Sequence, residues 1–221
     1  MKIDLHVHTS EVSACGKLPA VEMVRLYKEA GYDAICITNH FTLSTATSHA
    51  KKGRFDFVQW YDYGYRLAKE EGDRIGLKVF KGYEMRCNQY DNDFLVYHLP
   101  DNLLENATAL LSLPQREFLK VLRDNGVKIF QAHPFRNSIT VTDPALIDGI
   151  EEYNGSNGPG DKNDMAQIWA KHYSHLIPIS GSDAHSAPAV GKGGIETDEE
   201  VNDVFDLLSV LERRNYTLIK N

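Results

Sequence analysis

Residues 1–40 read MKIDLHVHTSEVSACGKLPAVEMVRLYKEAGYDAICITNH and decide the fold class. A short apolar strand near Ile3–Leu5 is followed by helical spacing of apolar residues over Pro19–Ala30 and by a second apolar strand over Ala34–Thr38. Gly31 supplies a typical C-terminal stop for the helix. A strand, a helix and a second strand in this order predict a βα unit whose two strands run parallel.

The same alternation continues along the chain. We predict further strands near Lys78–Gly82, Phe94–Tyr97, Lys128–Gln131, Gly149–Glu152 and Ile177–Ser180, further helices over Gln115–Asp124, Asp161–Tyr173 and Glu199–Arg214, and loops over Asn154–Gly160 and Gly191–Gly194. Seven short strands separated by helices predict an α/β fold with a mainly parallel sheet, closed into a barrel or strongly curled. We expect one domain over residues 1–221.

The aromatic segment from Phe55 to Glu71 allows two interpretations. It contains Phe57, Trp60, Tyr61, Tyr63 and Tyr65, which either pack a helix on the barrel or form part of a pocket wall. Packing is the simpler interpretation, and we adopt it.

Composition narrows the function classes. The chain has 221 residues, of which 42% are hydrophobic and 25% charged, as in an ordinary globular protein. A net charge of −7 argues against binding of long nucleic acids, although a small anionic substrate remains possible.

We see no apolar run of membrane-spanning length and no secretory signal. The three cysteines Cys15, Cys36 and Cys87 do not form a disulfide pattern, so we expect a cytoplasmic protein; its oligomeric state is not indicated.

Metal-type ligands recur at the ends of the predicted strands. They are His6, His8, His40, Glu84, His98, His133, Asp183 and His185. His6 and His8 are two apart, so an extended backbone directs both side chains to the same side. That pair alone fits two ordinary polar strand residues equally well, but its recurrence with the others favours a metal site. Eight nitrogen and oxygen ligands suit two or three divalent ions, zinc, manganese or iron, rather than a closed structural zinc site.

Six motifs carry these residues in a fixed order. They are Asp4-Leu5-His6-Val7-His8-Thr9, Ile37-Thr38-Asn39-His40, Gly82-Tyr83-Glu84, His98, His133-Pro134 and Ser182-Asp183-Ala184-His185. The ordered set covers most of the chain and resembles the polymerase and histidinol phosphatase (PHP) family of metal-dependent phosphoesterases. The resemblance implies a distorted seven-stranded (β/α)7 barrel, similar to a TIM barrel, with a trinuclear metal centre.

The resemblance also implies which residues bind each ion. One ion is expected at His6, His8, Glu84 and Asp183, a second at Glu84, His98 and His133, and a third at His40, His185 and one further ligand. Asn39 stands where the family often has aspartate, which affects how ligands are oriented without removing one. For the further ligand we favour Glu11, because a carboxylate suits phosphate hydrolysis; Cys15 and water remain alternatives.

The implied activity is hydrolysis of a small phosphomonoester by a metal-activated hydroxide. Histidinol phosphate, a nucleotide, a nucleoside bisphosphate and phosphotyrosine all fit. We assign catalytic roles to Glu84, Asp183 and His185, and phosphate binding to Arg136, for which a surface ion pair is the alternative.

Two other functions compete with this one. An amidohydrolase-type enzyme acting on a C–N or C–O bond also begins with a His-x-His motif, but it normally uses a carboxylated lysine where Glu84 stands here. A non-catalytic, metal-stabilised PHP module is the second alternative, and the nearly complete ligand set argues against it.

Overall fold

The computed structural model describes residues 1–51, 56–87, 91–156 and 162–221. Its strands are β1 (Lys2–Val7), β2 (Ala34–Ile37), β3 (His40–Thr42), β4 (Lys78–Lys81), β5 (Tyr83–Arg86), β6 (Phe94–Val96), β7 (Phe130–Gln131), β8 (Gly149–Asn154), β9 (Ile177–Gly181), β10 (Gly193–Glu196) and β11 (Thr217–Lys220). Its α-helices are α1 (Ala20–Glu29), α2 (Leu43–Lys51), α3 (Phe57–Ile75), α4 (Asp101–Glu105), α5 (Ala107–Leu111), α6 (Gln115–Asp124), α7 (Asn163–His172) and α8 (Val204–Arg213).

The strands form two mixed sheets. One has the order β11-β10-β1-β2-β4 and the other the order β3-β5-β6-β7-β8-β9. The sheets adjoin where Val7, at the end of β1, bridges to Ala184 just after β9, and where the His8 backbone N–H donates to the Ala184 carbonyl at 3.0 Å. The α/β class is confirmed, whereas the strands of the described residues form these two sheets and not a single closed seven-stranded barrel.

Strand β6 runs against its neighbours. It pairs antiparallel with both β5 and β7, whereas β7, β8 and β9 are mutually parallel. The carboxyl end of β6 therefore lies at the end of the sheet where the parallel strands begin. The residue that precedes β6 lies at the opposite end of the sheet, where the parallel strands have their carboxyl ends.

All seven predicted strands exist, but β3, β5, β10 and β11 were not predicted. The predicted loop Gly191–Gly194 is wrong at its last two residues, which begin β10. Gly193 lies so close to β9 that a Cβ atom there would stand 2.3 Å from the Gly181 carbonyl oxygen. The position needs glycine for close approach, so it lacks the side chain by which a strand is recognised in sequence.

The predicted helices are present; α6 has the predicted bounds, whereas α1, α7 and α8 are shorter than predicted. Helix α8 begins at Val204 instead of Glu199, because the Asp203 side chain accepts hydrogen bonds from the backbone N–H groups of Phe205 and Asp206. Helix α7 begins at Asn163, and Asp161 lies outside the described residues, as do positions 157–160 of the predicted loop Asn154–Gly160.

Helix α3 accounts for the aromatic segment. Tyr61 is buried and donates hydrogen bonds to the carbonyls of Asn39 at 2.7 Å and Gly82 at 3.0 Å. Tyr63 is 47% exposed, and Phe55 lies outside the described residues. The segment thus packs a helix on the sheets. Within the described ranges, no helix is long and apolar enough to span a membrane.

Candidate metal centre

Seven of the site residues expected from the sequence converge at the carboxyl ends of the parallel strands. They are His6, His8, His40, Glu84, His133, Asp183 and His185. Five of these side chains are buried, whereas His40 and His185 are 25% and 24% exposed. The cluster therefore reaches solvent through these two imidazoles.

His6 and His8 face the same two carboxylates. His6 Nε2 lies 3.3 Å from Glu84 Oε1 and 3.5 Å from Asp183 Oδ1. His8 Nε2 lies 3.4 Å from Glu84 Oε2 and 3.3 Å from Asp183 Oδ1. Two ligand atoms at about 2.1 Å from a tetrahedral ion stand about 3.4 Å apart. Each of these four separations is therefore of the size found between two ligands of a tetrahedral ion, and one ligand atom each from His6, His8 and Asp183 lies within 4.8 Å of the others.

The two imidazole nitrogens approach these carboxylates without hydrogen bonding to them. Among the described residues, neither His6 Nε2 nor His8 Nε2 has a hydrogen-bond partner. Burying a polar atom without a partner costs about 1–3 kcal/mol. A bound cation would satisfy both nitrogens, so the donor set fits a metal.

Glu84 connects the parts of the cluster. Its Oε2 lies 2.6 Å from His40 Nδ1, and its Oε1 lies 3.1 Å from His133 Nε2. With His6 and His8, it thus contacts four histidines that come from three separate segments of the chain. This central position suits a carboxylate shared by two ions.

Backbone strain marks two strand exits. His133, after β7, has φ +29°, and Asp183, after β9, has φ +49°. Left-handed conformations at residues other than glycine cost about 1–3 kcal/mol and cluster at functional sites. At these two positions the strained backbone turns the side chains into the cluster.

Glu151, a residue without a predicted role, supports two members of the cluster. It is fully buried in β8; its Oε1 lies 3.0 Å from His6 Nδ1, and its Oε2 accepts the His133 backbone N–H at 2.9 Å. Asn154 Nδ2 donates to the same Oε2 at 2.8 Å. The carboxylate keeps the Nδ1 proton on His6, which leaves Nε2 as the ligand atom.

Ser13 fixes His8 in the corresponding way. Asn39 Oδ1 accepts the Thr9 backbone N–H at 2.8 Å and the Ser13 hydroxyl at 2.9 Å. Because that hydroxyl proton is committed to Asn39, Ser13 Oγ acts as acceptor for His8 Nδ1 at 3.1 Å and for the His40 backbone N–H at 3.1 Å. His8 Nε2 is therefore unprotonated and available. Asparagine at position 39 thus organises ligands through its amide oxygen.

Burial and the neighbouring charges shift the pKa values of the ionisable groups in the cluster. Burial lowers the pKa of His6, but the charges of Asp183 and Glu151 raise it well above its usual range. Burial raises the pKa of Glu84, but His40 and His6 hold it well below the ordinary value. The pKa of His8 is lowered to about 3, chiefly by burial, with the nearby positive charges adding to the effect. The carboxylates remain ionised and keep positive charge close, as a cation site requires.

The structure does not bring His98 to this cluster. His98 follows β6, which runs antiparallel to its neighbours, so His98 lies at the other end of the sheet from the cluster. There its ring packs on Phe205 with centroids 4.8 Å apart, and it lines a surface cavity of about 430 Å³ with Tyr65 and Lys78. The expectation that His98 binds a metal with His133 is therefore wrong.

Asp93 occupies the position that His98 was expected to fill. It precedes β6, is 2% exposed, and places Oδ2 at 3.8 Å from His133 Nε2. One ligand atom each from His40, Glu84 and Asp93 lies within 4.8 Å of the others. Arg86 holds the Asp93 carboxylate through two hydrogen bonds of 2.7 and 2.6 Å. A polar residue at the start of an antiparallel strand was the overlooked sequence signal.

The structure also bears on whether Glu11 or Cys15 is the further ligand expected beside His40 and His185. Both Glu11 carboxylate oxygens accept the Ala20 backbone N–H, at 2.9 and 3.1 Å, at the start of α1. Glu11 therefore caps a helix instead of facing the cluster. The prediction that Glu11 is the further metal ligand is wrong. Cys15 interacts with the side chains of His185 and His40; burial raises its pKa, but these contacts lower it to about 6.

Arg136 lies at the edge of the cluster. Its Nη2 donates to Asp183 Oδ2 at 2.9 Å, Ser156 Oγ at 2.9 Å and Asn154 Oδ1 at 3.1 Å, and its side chain is 30% exposed. It is thus paired with a carboxylate of the site, close to the solvent-facing histidines.

Comparisons with solved structures show where the fold recurs. A two-domain protein from Bacteroides vulgatus that contains a predicted PHP-like metal-dependent phosphoesterase superposes with a TM-score of 0.72 at 20% identity, covering 100% of this chain and 65% of that chain. A lesion-specific endonuclease from Pyrococcus furiosus gives 0.61 at 15% identity, covering 98% and 57%. An amidohydrolase from Chromobacterium violaceum gives 0.53 at 14% identity, covering 96% and 97%.

The chain spans about two thirds or less of the first two of these proteins, and at such identities the likeness shows the fold alone. A search of curated proteins found no match to the chain. The model of the PHP domain, by contrast, matches residues 4–216. Because that match includes every strand end that contributes to the cluster, the chain belongs to the PHP domain family.

Proposed function

We propose that the chain hydrolyses a small phosphomonoester, of the kind cleaved by a histidinol phosphatase or a nucleotide phosphatase, at a centre of two or three divalent ions. The observation that carries this proposal is the spacing of 3.3–3.5 Å between the nitrogens of His6 and His8 and the carboxylates of Glu84 and Asp183. When bound, the ions supply activation of water and neutralisation of charge on the phosphoryl oxygens.

The chain's own residues organise the reaction. Glu84 and Asp183 hold the ligand histidines in place, while Glu151 and Ser13 retain the Nδ1 protons of His6 and His8. His185, half-buried with Nδ1 at 2.9 Å from the Asp183 carbonyl oxygen, faces the side from which substrate enters. The net charge of −7 favours a small substrate whose charge is met locally.

Arg136 is proposed to bind the substrate phosphate. A charged hydrogen bond contributes about 1.5–3 kcal/mol, so Arg136→Ala is expected to raise KM about ten-fold while changing kcat only a few-fold. Steady-state kinetics on the metal-loaded protein checks this. Arg66→Ala, on α3, is the matched control and should leave KM unchanged. A fall in kcat and metal content at unchanged KM would instead limit Arg136 to holding Asp183.

The proposed function is tested with metal-stripped protein reconstituted with zinc, manganese or iron(II). The assay offers phosphomonoesters, including histidinol phosphate, nucleotides and phosphotyrosine, beside phosphodiesters, amides and a lactone. We expect turnover of at least one phosphomonoester with the metals unequally effective, and none by stripped protein. Metal-dependent cleavage of only the amide or lactone would support an amidohydrolase activity. Full metal loading without any turnover would support the non-catalytic module.

A further inference from the structure

The surface cavity of about 430 Å³ is separate from the metal cluster, and none of the seven residues that converge in the cluster lines it. Strand β4 supplies one wall of the cavity through Lys78, Val79, Phe80 and Lys81. Successive residues of a strand point to opposite faces, so a cavity lined by all four residues runs along the edge of the strand. Within the described ranges, β4 is the last strand of its sheet, so no neighbouring strand covers this edge.

Aromatic and apolar side chains form much of the remaining wall. Tyr65 comes from α3, Tyr97 and Leu99 flank His98 after β6, and Val204 begins α8. Aromatic rings pack favourably against one another in offset or edge-to-face arrangements. The volume of 430 Å³ lies within the range of about 300–1,000 Å³ that is usual for pockets holding small organic molecules. The wall therefore suits a small ligand with a flat aromatic body.

Tyr83, at the start of β5, brings an unused hydrogen-bond donor to this wall. Its side chain is 1% exposed, and its hydroxyl has no hydrogen-bond partner among the residues that the structure describes. The Tyr61 ring stacks on that of Tyr83 with centroids 5.2 Å apart, which holds the side chain in place. Buried hydroxyls are usually paired, because burial without a partner is unfavourable. A ligand that supplies an acceptor would satisfy this hydroxyl.

Lys81 places a positive charge beside the same tyrosine. Its Nζ lies 5.7 Å from the centroid of the Tyr83 ring and 5.9 Å from that of Tyr65. It donates to Asp62 Oδ1 at 3.2 Å and Oδ2 at 3.3 Å, and no other acceptor contacts it in the described part of the chain. Lys78, in contrast, donates to three acceptors. Because an ammonium group has three donors, Lys81 retains capacity for a further acceptor.

The acidic side chains of the wall do not meet these donors. Asp73 pairs with Lys69, and Asp203 accepts the backbone N–H groups at the start of α8. Asp101, on α4, is exposed, so water and salt screen its charge. Donors without an acceptor therefore face an aromatic cavity, and this combination favours a ligand that carries a negative charge on an aromatic body.

We propose that this cavity is a second binding site, which takes a small aromatic carboxylate. The carboxylate accepts hydrogen bonds from Lys81 Nζ and the Tyr83 hydroxyl, and the ring packs beside Tyr65, Tyr97 and Leu99. Binding is non-covalent. The site does not depend on the proposed function, because none of these residues is a proposed metal ligand.

The test uses 2-naphthoate as the probe and 2-naphthylmethanol as its uncharged counterpart of similar shape. Each is titrated by calorimetry into metal-stripped full-length protein, so that metal ions cannot bind the carboxylate. We expect 2-naphthoate to bind at one site and about ten-fold more tightly than the alcohol, because hydrogen bonds to a charged group are stronger than neutral ones. Equal affinities for the two probes, or no binding of 2-naphthoate at millimolar concentration, would overturn the proposal.

Lys81→Met tests the charge, because methionine keeps much of the aliphatic stem and removes the ammonium group. It should weaken binding of 2-naphthoate about ten-fold and leave binding of the alcohol unchanged. Lys128→Met is the matched control: Lys128 pairs with Asp148 and Glu212 and does not line the cavity. An unchanged affinity of Lys81→Met for 2-naphthoate would contradict the assigned role of Lys81.

Tyr83→Phe should have two opposite effects. It removes a buried hydroxyl without a partner, so the free protein should unfold at a higher temperature, while 2-naphthoate should bind about ten-fold more weakly. Tyr97→Phe is the matched control, because Tyr97 lines the same cavity but its hydroxyl donates to the Leu5 carbonyl at 3.3 Å. It should lower the unfolding temperature and leave the affinity unchanged. If Tyr83→Phe and Tyr97→Phe have the same effect on affinity, the Tyr83 hydroxyl is not a ligand contact.

Val204→Trp tests the location of the site. An indole at the first residue of α8 should fill the cavity and abolish binding of both probes. Phe205→Trp is the matched control, because Phe205 is the next residue and is 59% exposed; it should bind 2-naphthoate with the native affinity. Thermal unfolding of each variant shows that it is folded. Native affinity in folded Val204→Trp protein would place the probe elsewhere and overturn the assignment to this cavity.

Discussion

Glu84→Gln is expected to reduce phosphomonoester hydrolysis by about 10³-fold or more and to lower the metal content of the purified protein. Glu84 contacts His6, His8, His40 and His133 at 2.6–3.4 Å, so no other side chain of the cluster touches as many proposed ligands. Glutamine keeps the shape but removes the charge that two ions would share. Charge stabilisation by metals contributes several kcal/mol to a transition state, and each 1.36 kcal/mol is about ten-fold in rate.

The measurement combines kcat/KM with elemental analysis of the same preparation. Loss of a buried carboxylate also affects folding, so Glu71→Gln serves as the matched control. Glu71 is buried and bound by Arg25 and Arg74, outside the metal cluster. We expect it to lower thermal stability while retaining activity. A Glu84→Gln protein with full metal content and activity within ten-fold of the native sequence would remove Glu84 from its central role.

The sequence predicted most of the cluster because strand ends are visible as boundaries of apolar runs. His6, His8, His40, Glu84, His133, Asp183 and His185 all follow or end such runs, and parallel pairing brings those ends together. What an apolar run does not reveal is its direction. Phe94–Val96 has the same composition whether parallel or antiparallel, so the ligand was sought after the strand, at His98, instead of before it, at Asp93.

The sequence could not decide whether Glu11 or Cys15 faces the cluster, for a different reason. Both lie on the irregular segment between β1 and α1, where no periodicity assigns side chains to one face. The deciding contact is a helix cap: Pro19 precedes α1 and offers no side-chain cap, so the Glu11 carboxylate accepts the Ala20 N–H instead. Capping from nine residues away is a tertiary contact that local propensity does not encode.

Glu151 has no role that the sequence predicts, because its importance depends on which residues it contacts across the sheets. Its two oxygens join His6 on β1 to the backbone of His133 after β7. Gly181 leaves the necessary space: a Cβ atom there would lie 2.4 Å from His6 Cβ and 2.9 Å from Glu151 Oε1. A buried carboxylate and a glycine on neighbouring strands thus act together to seat one imidazole.

Glu151→Gln is therefore expected to weaken metal binding about 10–100-fold with little change in fold. All three partners of the carboxylate donate to it: His6 Nδ1, the His133 N–H and Asn154 Nδ2. A glutamine has one accepting end. Placing its NH₂ toward His133 and Asn154 would oppose two donors, so the NH₂ should turn toward His6 and force the imidazole proton from Nδ1 to Nε2.

That tautomer blocks the ligand nitrogen of His6, which gives the prediction a readout that loss of packing alone would not produce. Nitrogen NMR of the metal-free variant above the pKa of the imidazole should show the proton on Nε2, and metal titration should show the weaker affinity. Glu152→Gln is the matched control, because Glu152 is the next residue on β8 and pairs with Lys220. It should alter neither quantity. Weakened binding with the His6 proton still on Nδ1 would mean that Glu151 acts by supplying charge and not by fixing the tautomer.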